Sequence, residues 1–137
     1  MKIWFGYGSE HSANLVIIGE FKGADDAQSS LDLLNRAVEV ARSDEKAGRL
    51  NAGAVASKFT DAQMDLFRAT ELSLNYGDPE QLLLDFDARR EGKKVVITTE
   101  EQDINAFMKV LLHGGAKVEV YSAHAHGGPY GRRTKTA

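Results

Sequence analysis

The sequence predicts an α+β domain built on one mixed β-sheet of four to six strands, with helices packed mainly on one face. Three observations predict this class. Short runs of branched and aromatic residues recur along the chain, as in strands. Amphipathic helical repeats lie between them. The last third of the chain has the pattern strand, helix, strand. The 137 residues, 42% hydrophobic and 27% charged, suit one globular domain.

The chain opens with two predicted strands. Residues 2–7 are rich in aromatic and branched side chains, and residues 14–21 are apolar enough for the centre of a sheet. The polar stretch 8–13 lies between them and has the composition of a turn. We therefore expect these two strands to form a hairpin with a long loop.

A long helix is predicted over 26–43, because apolar residues recur there at steps of four and three. Asp25 and Asp26 precede this stripe and offer carboxylate oxygens as N-caps. Residues 44–57 are polar and rich in Gly and Ala, which indicates a loop or a weak helix.

Thr60 and Gln63 have the spacing of a capping box, which predicts the start of a second helix. Two interpretations remain open for residues 70–90. Period-two alternation on both sides of a turn predicts a hairpin. Asp78 followed by Pro79, with helix-forming residues after them, predicts a helix instead.

A strand is predicted over 94–98 and another over 117–122, with a helix between them. Thr99 and Gln102 form a second capping-box pattern, and Gly114 stands where a left-handed C-cap is expected. The apolar stripe of this helix has helical spacing: Ile104, Phe107, Met108 and Leu111.

These last elements predict a right-handed βαβ unit at the C-terminus, with its two strands parallel. Together with the opening strands and long helix, they suggest an architecture that resembles the ferredoxin-like type. The predicted globular domain covers residues 1–126. Residues 127–137 are rich in glycine and basic residues, including Arg132, Arg133 and Lys135, and are interpreted as a flexible basic tail.

Composition excludes several classes of function. The chain has no cysteine, which rules out disulfides, cysteine nucleophiles and thiolate zinc sites, and fits a cytoplasmic protein. The formal net charge of −3 argues against a nucleic-acid partner. Apolar runs are too short to span a membrane. Glycine-rich phosphate loops and dinucleotide fingerprints are missing, so no organic cofactor is expected.

The first candidate site lies in the loop after the first predicted strand, where loops on rigid scaffolds often carry reactive groups. It contains Tyr7, Ser9, Glu10 and His11, which could supply an acid–base pair beside a hydroxyl. The alternative is a hydrophilic turn whose side chains satisfy backbone amides.

The second candidate is a metal site, since His124 and His126 share one face of an extended segment. With His11 or Glu10 as a third ligand, they would suit a divalent transition metal. This requires the first and last strands to run parallel in one sheet, so that both segments leave the same edge. The alternative is two solvated histidines.

Asp85 and Asp87 are a further pair: they would be paired carboxylates on a strand and a solvated pair on a helix. Taken together, the sequence favours a small interaction or regulatory protein, immunity-type or similar, that acts by protein binding. A homodimer through a sheet edge is also open. The alternatives are a metal-assisted or acid–base, hydrolase-like enzyme that uses the strand-end histidines, and a ferredoxin-like module that binds a small molecule.

Overall fold

The computed structural model describes residues 15–50, 58–101 and 103–122, together with the backbone of residues 2–3. The α+β class predicted from the sequence is confirmed. Its elements, in chain order, are β1 (Lys2–Ile3), β2 (Leu15–Glu20), α1 (Ala24–Lys46), α2 (Asp61–Thr70), a 3-10 helix (Pro79–Leu83), β3 (Phe86–Glu91), β4 (Lys94–Thr99), α3 (Asn105–His113) and β5 (Lys117–Ser122).

The strands form one mixed sheet in the order β1-β5-β2-β4-β3. β1 runs parallel to β5, and the other neighbouring pairs are antiparallel. β4 and β5 are both antiparallel to β2, so they are parallel to each other, as predicted for the C-terminal βαβ unit. β2 lies between them, however, so this unit is split.

The predicted hairpin between the first two strands is wrong, because β5 lies between β1 and β2. β2 is apolar along most of its length, and residues 15–19 are buried. Such a strand gains most in the centre of a sheet, where it pairs on both edges. A hairpin would place β1 on the edge of β2 that β5 occupies.

The helices pack on one face of the sheet. Alternate strand residues on that face, such as Ile17, Ile97 and Val120, are fully buried in one cluster with residues of α1, α2 and α3. Val16, Ile18 and Val96 point to the other face and form a smaller buried cluster. The main core therefore lies between the sheet and a helix layer on one of its faces, as predicted.

The long helix predicted over 26–43 is confirmed as α1, Ala24–Lys46. Its N-cap is Gly23, which makes no side-chain cap, so the expected capping by Asp25 and Asp26 is wrong. Both carboxylates lie instead in the first turn, where they interact favourably with the positive end of the helix dipole.

Residues 70–90 adopt neither predicted form as a whole. Pro79–Leu83 is a short 3-10 helix, and the hairpin in this region is formed by β3 and β4. Asp78 fixes the start of the short helix. Its carboxylate accepts a hydrogen bond from the Asn75 amide at 2.8 Å and one from Lys109 Nζ. The turn before the helix is thereby fixed to α3.

α3 begins later than its predicted capping box. The Thr99 hydroxyl donates to the Asp85 carbonyl at 2.9 Å and accepts from the Glu101 amide, so it serves the end of β4 instead. The Ala106 amide, in the first turn of α3, donates to Gln81 Oε1 at 2.8 Å. α3 ends at His113 with Gly114 as its C-cap, but the left-handed residue is Gly115, with a φ of 88°.

The capping box of α2 is confirmed and extends to a buried acid. Gln63 N donates to Thr60 Oγ1 at 3.1 Å, and Thr60 N donates to Gln63 Oε1 at 3.0 Å. The same Thr60 hydroxyl donates to Asp44 Oδ2 at 2.6 Å. Asp44 lies near the end of α1 and its exposed fraction is 0%. One hydroxyl therefore joins the end of α1 to the start of α2.

We expect Thr60→Ala to lower the free energy of unfolding by about 2 kcal/mol, because it removes an N-cap and deprives a buried carboxylate of a donor. Thr60→Ser is the matched control, since it keeps the hydroxyl, and should stay close to wild type. Urea unfolding measures both. Equal losses in the two variants would show that the hydroxyl is not the important group.

Glu71 closes α2 in a left-handed conformation, with a φ of 62°. Its amide donates to the Phe67 carbonyl at 2.7 Å, and its side chain is exposed. The left-handed region is unfavourable for a residue with a Cβ and natural for glycine. The helix end therefore carries a small local strain.

Replacing Glu71 by Gly should raise the free energy of unfolding by about 0.5–1 kcal/mol. Glycine relieves the left-handed strain, and this gain exceeds the loss that comes from the greater entropy of glycine in the unfolded chain. Glu71→Ala keeps the strain and separates this effect from loss of the charge. Guanidinium titration of both variants is the measurement. A glycine variant no more stable than the alanine variant would contradict the expectation.

Candidate functional site

The sequence-predicted site residues lie outside the described part of the chain: Tyr7, Ser9, Glu10, His11, His124 and His126. The described residues do show where their two segments join the sheet. β2 starts at Leu15 and β5 ends at Ser122, and these two residues are paired across the antiparallel ladder. The segment with His11 and the segment with His124 therefore attach to the sheet at neighbouring positions.

Convergence of the two segments also requires the first and last strands to run parallel in one sheet, and they do. Ile3 of β1 lies opposite Val120 of β5 in a parallel ladder, so the chain leaves both strands in the same direction. The meeting of the side chains themselves stays a prediction.

Further along this end of the sheet is a group of carboxylates. Leu15 is paired with Thr99 of β4, and Thr99 with Phe86 of β3, so these residues continue the row that starts at Ser122. We name the four carboxylates around Thr99 and Phe86 the acidic end: Asp85, Asp87, Glu100 and Glu101. These residues lie at the start of β3 and just beyond the end of β4.

The acidic end borders an open cleft of about 470 Å³. Its lining holds the four carboxylates together with Phe86, Thr98 and Thr99, and none of these described lining residues is basic. The ring of Phe86 packs against Phe107 of α3, with ring centroids 4.7 Å apart, so the cleft rests directly on the core. The Thr99 hydroxyl holds Asp85 in place through its carbonyl.

The carboxylates of this cleft are solvated and mostly without cationic partners. Asp87 Oδ2 lies 3.7 Å from Arg89 Nη1, with its side chain 71% exposed. Among residues 15–50, 58–101 and 103–122, no ion pair involves Asp85, Glu100 or Glu101. The exposure of Asp85 and Asp87 fits a solvated pair and not a buried acid–base dyad.

Chemically, the four carboxylates of the acidic end can attract positive charge. Within the described ranges, no cluster of three His, Asp or Glu side chains could hold a metal ion. No helix there is long and apolar enough to cross a membrane.

Sequence reasoning did not find the acidic end as a unit. Glu100 and Glu101 lie inside the predicted capping-box pattern from Thr99 to Gln102, and Asp85 and Asp87 form a separate pair in the sequence. The signal was the adjacency of β3 and β4, because neighbouring antiparallel strands bring the start of one beside the end of the other. The uncertainty over residues 70–90 hid this adjacency.

Comparison with known proteins gives a family but no activity. No curated protein matches this sequence, and no solved structure matches it either. A family of unknown function, DUF6375, matches residues 1–129, and the chain belongs to that family.

Proposed function

We propose that this protein is a small interaction or regulatory protein that binds a basic protein partner at the acidic end of its sheet. The observation that carries the proposal is the lining of the cleft, which has four carboxylates and, among the described residues, no basic side chain. A surface of one sign speeds encounter with a partner of the opposite sign and disfavours partners of its own sign. An immunity-type protein that occludes a basic toxin would act in this way.

The charges are available to a partner. Glu100 and Glu101 are exposed and form no ion pair with the described residues, so a partner's lysine or arginine can approach them without breaking an existing bridge. The apolar floor at Phe86 offers contact area beneath the charged rim. An apolar centre with a polar rim is the usual anatomy of a protein interface.

β3 adds a second means of recognition. It is the last strand of the sheet order, and no described strand pairs with its outer side. An extended basic segment could add to this edge through its main chain while its side chains meet the carboxylates. A second copy of this chain is the alternative occupant of the edge.

The test compares two double variants that remove equal charge. Glu100→Gln/Glu101→Gln changes the cleft, and Glu39→Gln/Glu45→Gln changes exposed sites on α1. We expect a partner that co-purifies in stoichiometric amount from the native host to be basic, and to bind the cleft variant about tenfold more weakly than wild type. The α1 variant should bind normally, and affinity should fall with added salt.

Titration of the purified pair at two salt concentrations gives these affinities, and light scattering of the chain alone tests for the homodimer. The proposal fails if the partner is acidic, if the two double variants bind equally well, or if only a homodimer is found.

Metal-assisted or acid–base chemistry is a second candidate function, supported by the pairing of Leu15 with Ser122. We infer from it that His11, which precedes β2, and His124 and His126, which follow β5, are attached closely enough to share a divalent transition metal. In a hydrolase-like enzyme, such a metal would activate water, with Glu10, Tyr7 or Ser9 as neighbouring acid–base groups.

Untagged protein should then carry about one zinc or nickel ion per chain and melt at a higher temperature when either ion is added. His11→Ala and His124→Ala should lose this stabilisation, while His113→Ala, which changes the histidine at the end of α3, should keep it. Elemental analysis and thermal melting are the measurements. Failure of both ions to bind or stabilise the wild type would exclude this metal site.

A third candidate is a ferredoxin-like module that binds a small molecule. From β2 to β5 the elements follow the order strand, helices, two strands, helix, strand. The last of these strands pairs with the first, which supports the ferredoxin-like assignment. An open cleft between α1 and the C-terminal ends of α2 and α3 favours ligand binding.

A further inference from the structure

A second cleft lies on the helical side of the molecule, between the N-terminal half of α1 and the C-terminal ends of α2 and α3. It is open, with a volume of about 520 Å³. Positions spaced by three or four residues along α1 form one wall. The lining residues that matter here are Asp26, Ser30, Asp32, Arg36, Thr70 and His113.

Ser30 is an unexplained polar group in the floor of this cleft. Its exposed fraction is only 3%, and its hydroxyl has no hydrogen-bond partner in the part of the chain that the structure describes. It lies beside Gly114, which also lines the cleft: a Cβ added to Gly114 would stand 3.3 Å from Ser30 Oγ. Buried hydroxyls are normally hydrogen-bonded, so an unpaired one in the floor of a cleft lacks a partner that a ligand could supply.

His113 links the C-terminal ends of α2 and α3, which form the other two walls of the cleft. Its Nε2 lies 3.0 Å from the carbonyl oxygen of Thr70. A carbonyl can only accept, so Nε2 carries the proton and donates it to this contact. Thr70 and His113 are the last residues of α2 and α3, so two helix C-termini meet here. Each such end carries a partial negative charge.

The balance of charge favours a cation. Two carboxylates line the cleft, Asp26 and Asp32, against one permanent positive charge among the described lining residues, Arg36. Asp26 lies in the first turn of α1, whose positive dipole end offsets part of its charge, so Asp32 and the two helix ends carry most of the preference for a cation. Among the residues that the structure describes, none of these three side chains takes part in an ion pair. Asp32 accepts only a neutral hydrogen bond, from Gln28 Nε2 at 2.9 Å.

We propose that this cleft binds a small organic amine. The protonated nitrogen lies against Asp26 and Asp32 and the carbonyl-rich helix ends, and the Ser30 hydroxyl pairs with a polar group of the ligand. Arg36 gives the cleft a further preference for amines that also carry a carboxylate. This site lies on elements that the acidic end does not use, so the two proposals stand or fall separately.

The first experiment uses two probes of equal length and opposite charge. Putrescine is a four-carbon diamine and succinate a four-carbon diacid. We expect putrescine to bind saturably at or below about 10 mM and to shift the amide resonances of Ser30, His113 and Gly114, whereas succinate leaves them unchanged. Lysine as a third probe tests the contribution of Arg36. Tighter binding of succinate, or no saturable binding of putrescine in this range, overturns the proposal.

The second experiment separates binding from structure. Asp26→Asn/Asp32→Asn should weaken putrescine about tenfold or more, and Glu39→Gln/Glu45→Gln, which removes the same charge elsewhere on α1, should leave it unchanged. Ser30→Ala should weaken putrescine by about fivefold without lowering the melting temperature of the free protein, since it deletes an unpaired hydroxyl. A Ser30→Ala protein that melts lower yet binds putrescine as well as wild type overturns the assigned role of Ser30.

Discussion

The structure depends on the burial of β2 on both of its faces and its pairing along both of its edges. Residues Leu15 to Ile18 are at most 4% exposed, and the strand is in register with β4 on one side and β5 on the other. A shift of one residue would exchange the two buried faces and break both ladders. Every other element is therefore positioned by reference to this strand.

The proposed sites lie at the two ends of this central strand. Leu15 marks one end, where the acidic end and the attachment points of the histidine-bearing segments are found. Glu20, paired with Lys117, marks the other. Near it α1 begins and α3 ends, and these elements form walls of the amine cleft. The acidic end thus presents negative charge at one end of the sheet. The cleft proposed to bind an amine presents negative charge among helix ends.

Local patterns predicted the elements well but not how they pair. The capping box at Thr60 and the long amphipathic helix were correct, because both depend on contacts within a few residues. The hairpin between β1 and β2 failed because the competitor, β5, is nearly a hundred residues away in sequence, and no local pattern reports such pairing. The long-range cap from Gln81 to Ala106 escaped prediction for the same reason.

The candidate sites show the same division. The sequence shows the histidines and carboxylates, and the parallel arrangement of β1 and β5 is the one that convergence of the histidine-bearing segments requires. The grouping of Asp85 with Glu100 required knowledge that β3 pairs with β4. The cleft lined by Ser30 and His113 could not be predicted without knowing how three helices pack. The sequence around Ser30 gives no sign that this residue is more than an ordinary polar residue of a helix.

The hydrogen bond from the Ala106 amide to Gln81 bears on the order in which the chain folds. A helix that supplies its own cap can begin to form alone, whereas α3 receives this one from the 3-10 helix that precedes the β3–β4 hairpin. Its first turn gains that stabilisation only after the hairpin has brought the two together. The slow-exchanging amides of α3 and the 3-10 helix should consequently open as one cooperative unit, although a hairpin separates them in the chain.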